Sequence, residues 1–133
     1  MGCLPLERTT NLMSIHGCNE EYNNVALEFN GKIKGLVNQL NAQIPGIRVV
    51  FSNPYPVLHQ MIRTPSIYGM DVTSKACCGT GMVEMSYLCI LDNALTCPDA
   101  DKYVFWDSFH PTERTNQLIA QHVFKTILYK FLY

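Results

Sequence analysis

The chain has 133 residues, enough for one domain, with 47% apolar and 16% charged residues and a formal net charge of −1. This balance gives no electrostatic reason to bind nucleic acid or an anionic membrane surface. No apolar run approaches the roughly 18 residues of a membrane span. No repeat, low-complexity tract or linker divides the sequence, which predicts a single domain over residues 1–133 whose low charge suits a piece covered by further protein.

Met1 to Thr10 lacks the basic stretch and apolar core of a secretory signal, and Leu6 stands where a myristoylation pattern needs Ser or Thr. Residues 1–18 read as a strand end followed by a loop rich in Thr, Asn and Gly. From about 20 to 43, Tyr22, Val25, Ala26, Phe29, Ile33, Leu36, Val37 and Leu40 recur at helical spacing, so this stripe is expected in the core. Glu20 and Glu21 suit the start of that helix, and Pro45-Gly46 stops it. Gly31 and Gly35 each cost a helix about 1 kcal/mol relative to Ala, which predicts close packing on a neighbour.

Ile47 to Ser52, apolar apart from Arg48 and the terminal serine, suits a strand of a parallel sheet buried on both faces. A short helix follows near 57–63 and ends at Thr64-Pro65; His59 on it has no patterned carboxylate and reads as a surface or packing residue. The stretch 66–101 lacks periodicity and reads as a long loop pinned by cysteines. A short β-prone run, Tyr103 to Trp106, is followed by a helix over about 111–131 with Leu118, Ile119, Val123, Ile127, Leu128 and Phe131 on its apolar face and His122 beside it, partly buried.

Six cysteines, Cys3, Cys18, Cys77, Cys78, Cys89 and Cys97, are an even number compatible with disulfides of undetermined pairing. No C-x-x-C pair exists, so neither a metal nor another cofactor is expected.

The most informative segment is Val104-Phe105-Trp106-Asp107-Ser108-Phe109-His110-Pro111-Thr112-Glu113. It places an Asp and a His three residues apart between a strand and an amphipathic helix. A histidine serves as general base near neutral pH when a carboxylate fixes its tautomer and stabilises the imidazolium formed in the reaction. Asp107 is placed to do this for His110 at the carboxyl end of the strand, where open α/β sheets hold ligands. Pro111 at the first helical position would make His110 the N-cap, with the helix dipole favouring the neutral imidazole. The structural alternative is that the pair only caps a turn.

The D-S-F-H-P-T-E run, with Lys102 to Trp106 before it and Thr115 to Ala120 after it, is similar to the terminal block of the plant GDSL esterase/lipase family, a branch of the SGNH hydrolases. The segment Met1 to Thr9 resembles the family's G-C-x-P segment. Glu20 to Asn24 and Phe29-Asn30 resemble the helix that follows, and Ala76 to Gly81 resembles its C-C-G-x-G stretch. The resemblance implies an α/β class, a partial SGNH-type α/β/α sandwich whose parallel sheet lacks its N-terminal strands. It also implies hydrolysis of small-molecule esters or lipids with Asp107 and His110 as catalytic residues, and extracellular location.

Family members carry the nucleophilic Ser in a G-D-S block and further oxyanion donors in a Gly block and a G-x-N-D block, none of which is in this sequence. Ser14, Ser52, Ser66, Ser74, Ser86 and Ser108 lie in neither G-D-S nor G-x-S-x-G. Losing one oxyanion donor typically costs about 10²–10³ in rate, and losing the nucleophile removes the covalent route. Little or no esterase activity is therefore expected of these residues alone. Two readings remain: a GDSL-type hydrolase completed by further protein, or an inactive remnant or non-enzymatic binding protein. A third possibility gives the nucleophile's role to Cys77 or Cys78.

Overall fold

A computed structural model describes residues 1–11, 17–89 and 94–132; Ser14 lies outside them. Helix α1 (Pro5–Thr10) occupies the segment expected as a strand end, with Pro5 supplying a preset φ at its start. Helix α2 (Glu20–Gln43) begins at Asn19, whose side chain accepts the N–H of Tyr22, and has Glu20 and Glu21 in its first turn.

Helix α2 is fixed at one end. Asn23, its buried residue, accepts the Gly2 N–H at 2.9 Å, while the Gly2 carbonyl accepts the Asn19 N–H at 2.7 Å and Cys3–Cys18 forms a disulfide. Gly2 has no room for a side chain, since a Cβ there would meet the Asn19 carbonyl oxygen at 1.8 Å.

Beyond that anchor the expected core stripe is corrected: Tyr22, Val25, Phe29 and Leu36 are exposed, Val25 at 62% and Phe29 at 61%. A Cβ on Gly31 or Gly35 would meet nothing within 4 Å, so the expected close packing is absent among the described residues. The periodicity is genuine, but these residues bring no surface to cover it.

The same shortage explains a second correction. Residues 47–52 form no strand, because a parallel strand requires a neighbour to accept its ladder bonds. Asn41 substitutes for one, accepting the Val49 N–H at 2.9 Å and donating to the Val49 carbonyl at 2.8 Å.

Helix α3 (Tyr55–Arg63) is followed by a tight 3₁₀ turn at Pro65–Tyr68. The stretch expected to be a loop then holds strand β1 (Val72–Ala76), which pairs in parallel with β2 (Tyr103–Phe105). Its sequence, V-T-S-K-A, has no clean alternation, which hides it from a reading by period.

Met61 of α3, Met70, Ala76 of β1 and Val104 and Phe105 of β2 form the buried core, with Leu118 and Ile119 packed against it. Each of the buried Met, Val and Phe side chains contributes about 1.5–3 kcal/mol by leaving water. Those last two residues lie on α4 (Glu113–Val123), which passes through a π-helical stretch, Phe124–Leu128, into α5 (Tyr129–Leu132). Helices around a small parallel sheet are the architecture of a partial α/β domain.

Candidate functional site

Strand β2 points its carboxyl end at a tight turn. The Trp106 N–H donates to the His110 carbonyl at 2.8 Å and the Thr112 N–H to the Val104 carbonyl at 3.0 Å, folding residues 106–112 back on the strand. Helix α4 is capped by Thr112, not His110. The Thr112 side chain accepts the Thr115 N–H and donates its own proton to the Tyr103 carbonyl at 2.9 Å. Pro111 bridges to Phe105 instead of opening the helix, so His110 stands outside the first turn and its defining partner is Asp107.

Those two side chains meet. Nδ1 of His110 lies 2.8 Å from Oδ2 and 3.0 Å from Oδ1 of Asp107. The Asp107 side chain is 3% exposed and that of His110 is 63% exposed, so the carboxylate is sealed and the imidazole presented to solvent. Oδ1 accepts the N–H groups of Phe109 at 2.8 Å and His110 at 2.6 Å, and Oδ2 accepts the Ser86 N–H at 3.1 Å.

Burial works against charge on Asp107, but the donors from His110, Phe109 and Ser86 outweigh it and hold the carboxyl below the usual carboxylate value. An ionised carboxylate only accepts, so Nδ1 carries the proton that faces it. In the neutral ring Nε2 is left with a lone pair, free to take a proton from an incoming hydroxyl or water.

A loop from the other strand closes the site. After β1, the Cys77 N–H donates to the Phe105 carbonyl at 3.0 Å and the Cys78 N–H to the Trp106 carbonyl at 2.8 Å. The chain then turns through Gly79 and Gly81, both at positive φ, and a Cβ on Gly81 would lie 2.5 Å from the Ala76 carbonyl oxygen. Disulfides Cys77–Cys97 and Cys78–Cys89 staple this loop. All six cysteines are paired, so neither Cys77 nor Cys78 has a thiolate to offer, and the cysteine-nucleophile alternative is overturned.

Two contributors escaped the sequence reading. One is Ser86, whose N–H reaches Asp107; the other is Glu84, whose carboxylate accepts the Thr80 hydroxyl at 2.7 Å and whose carbonyl accepts the Ser108 N–H at 2.9 Å. Main-chain contacts from 21 residues away leave no residue-type signal, although Glu84 five residues after Gly79 was open to notice.

His59 stacks on Tyr55 with centroids 5.6 Å apart, and His122 is half-buried on α4. Neither ring is hydrogen-bonded to a carboxylate among the described residues, as that of His110 is. Among the described residues no serine hydroxyl is hydrogen-bonded to His110; Ser108, next to Asp107, is fully buried with an unpartnered hydroxyl. No helix among the described residues is long and apolar enough to cross a membrane.

Comparison with known proteins follows the same lines. A family model described as GDSL-like Lipase/Acylhydrolase matches residues 1–123. GDSL esterase/lipase At2g42990 of Arabidopsis thaliana is 53% identical over 125 residues, covering 94% of this chain and 36% of the relative. GDSL esterase/lipase At4g26790 of the same plant is 55% identical over 130 residues, covering 98% and 37%. GDSL esterase/lipase At2g04570, also from Arabidopsis thaliana, is 47% identical over 132 residues, covering 99% and 38%. The chain thus spans little more than a third of the length of these curated relatives. No solved structure matches it.

Proposed function

Because the chain belongs to the GDSL-like lipase/acylhydrolase family, we propose that it is the proton-handling part of an ester hydrolase, with His110 as general base and Asp107 as the carboxylate that orients it. Nε2 of His110 takes the proton from an attacking hydroxyl, and Asp107 stabilises the imidazolium. The same Nε2–H then protonates the departing alkoxide. The nucleophile and the oxyanion donors come from parts of the family domain outside these residues, as do the strands that would complete the α/β/α sandwich. The substrate is a small ester or lipid, and the acyl and alcohol groups are chosen by that remainder.

The observation that carries this reading is the pair of contacts, 2.8 and 3.0 Å, between a sealed carboxylate and a presented imidazole. The uncovered apolar face of α2 supports it too, since Val25, Phe29 and Leu36 lie where a larger domain would place further elements. Three disulfides favour an oxidising, extracellular compartment.

The test is a chimera in which this chain replaces the matching third of GDSL esterase/lipase At4g26790, assayed on p-nitrophenyl acetate and butyrate. Asp107→Asn should lower kcat/KM by about 10⁴ and His110→Ala by about 10⁶. The isolated chain should turn over neither ester. A chimera that is active and indifferent to His110→Ala would remove the catalytic role and leave the chain as a binding or structural element.

A further inference from the structure

Asp107 is held by two kinds of donor. Those on Oδ1, the N–H groups of Phe109 and His110, belong to its own turn and follow wherever that turn goes. On Oδ2, the oxygen nearer to His110 Nδ1, the main-chain donor is the Ser86 N–H, 21 residues away. The plane of the carboxylate, and with it the aim of the imidazole, therefore depends on where Ser86 stands.

Ser86 reaches that place in a costly conformation. Its φ is 56°, the left-handed region, and it is the non-glycine residue found there among those described. Such a conformation is unfavourable for a residue with a Cβ and persists only where its surroundings over-determine it. What surrounds it is a short loop closed by Glu84. The Glu84 carboxylate accepts the Thr80 hydroxyl at 2.7 Å and the Val83 N–H at 3.4 Å, and its own carbonyl accepts the Ser108 N–H at 2.9 Å. Gly79 leaves the space, since a Cβ there would lie 2.6 Å from the Glu84 carboxyl carbon.

We propose that Glu84 is a positioning residue for the Asp107–His110 pair. Its carboxylate, tied to Thr80 and Val83, holds the 79–86 loop in the shape that clamps the turn from outside, the Glu84 carbonyl on Ser108 N–H and the Ser86 N–H on Asp107 Oδ2. Among the described residues Glu84 makes no hydrogen bond to His110, and it acts through Ser86 and Ser108. The inference rests on the catalytic reading of Asp107 and His110 and adds to it the residue that sets their mutual angle.

The readout is the imidazole tautomer, from ¹⁵N shifts of the His110 ring in the labelled full chain at a pH where the ring is neutral. The unchanged chain should show one dominant form with the proton on Nδ1. Asp107→Asn should abolish that preference. Glu84→Ala and the milder Thr80→Ala should each turn it into a mixture of the two tautomers, Glu84→Gln should restore it because an amide oxygen accepts the same two protons, and the rings of His59 and His122 should not move in any of them.

A tautomer preference that survives both Glu84→Ala and Thr80→Ala, while Asp107→Asn removes it, overturns the role of Glu84 and leaves the pair intact. A preference indifferent to Asp107→Asn overturns the pair itself and this inference with it. If Glu84→Ala shifts all three rings together, Thr80→Ala decides: an unmoved His110 tautomer there refutes the proposal, and a selective change supports it.

Discussion

The hydroxyl of Thr115, fully buried, donates to the main-chain carbonyl of Val104 at 2.8 Å and so ties the first turn of α4 to the strand that delivers Asp107. Thr112 makes the parallel tie to Tyr103 and also caps the helix. The two threonines differ in what their loss leaves behind. The Val104 carbonyl keeps the Thr112 N–H, so Thr115→Val should cost about 1 kcal/mol, the net value of one hydrogen bond. Thr112→Val loses the cap as well and should cost about 2 kcal/mol or more. Urea denaturation that ranked them the other way would deny the cap its place.

The site's acid behaviour has a definite sign. Asp107 lies below its ordinary 3.8, and Glu84 is held down to about 2 from an ordinary 4.5, by the Thr80 hydroxyl and by N–H groups that overcome its burial. A carboxyl that is more acidic in the fold than in the unfolded chain stabilises the fold above its unfolded value and loses that contribution as pH falls towards its native one. Thermal midpoints should therefore fall as pH drops from about 4.5 towards about 2, and fall less steeply in Glu84→Gln. A flat profile across that window would contradict both assignments.

The disulfides can be tested without activity. No thiol should react with iodoacetamide before reduction, since all six cysteines are paired. Cys78→Ser with Cys89→Ser opens an 11-residue separation at the site's edge and should cost about 2–4 kcal/mol. Mass spectrometry of the alkylated chain and a urea curve check the two halves of this prediction.

How much of this was legible in the sequence depends on whether a feature is local. Asp107 and His110 share one turn, so their spacing and residue types were enough to bring them together. The disulfide partners were not readable, because spacing leaves many pairings open. The helix cap was misplaced by two residues, since Pro111 fitted the first helical position and the competing ties of Thr112 and Thr115 to β2 carbonyls decided otherwise. Strand β1 was hidden because V-T-S-K-A has an exposed centre and no alternation, while residues 47–52, with the better strand pattern, have no partner strand among the described residues. Ser86 and Glu84 act on the turn through main-chain groups across 21 and 24 residues and leave almost no trace in composition.

Glycine separates a solvated helix face from one that more protein covers. Gly31 lies in the middle of α2 with nothing within 4 Å of the position a Cβ would take, so in the isolated chain Gly31→Ala should stabilise by up to about 1 kcal/mol through helix propensity alone. Gly81, at φ 80° with the Ala76 carbonyl oxygen 2.5 Å from the would-be Cβ, should lose more than about 1 kcal/mol on the same substitution. In the chimera with the longer relative the two should part company differently. If further elements lie on α2 at this point, as the small residue suggests, the added methyl meets them and Gly31→Ala turns from stabilising to destabilising. Gly81→Ala should cost the same in both settings, because its clash is internal. Denaturation curves showing Gly31→Ala stabilising the chimera as much as the chain would mean that this part of α2 faces solvent in the complete domain, and the proposed cover over α2 would have to lie elsewhere.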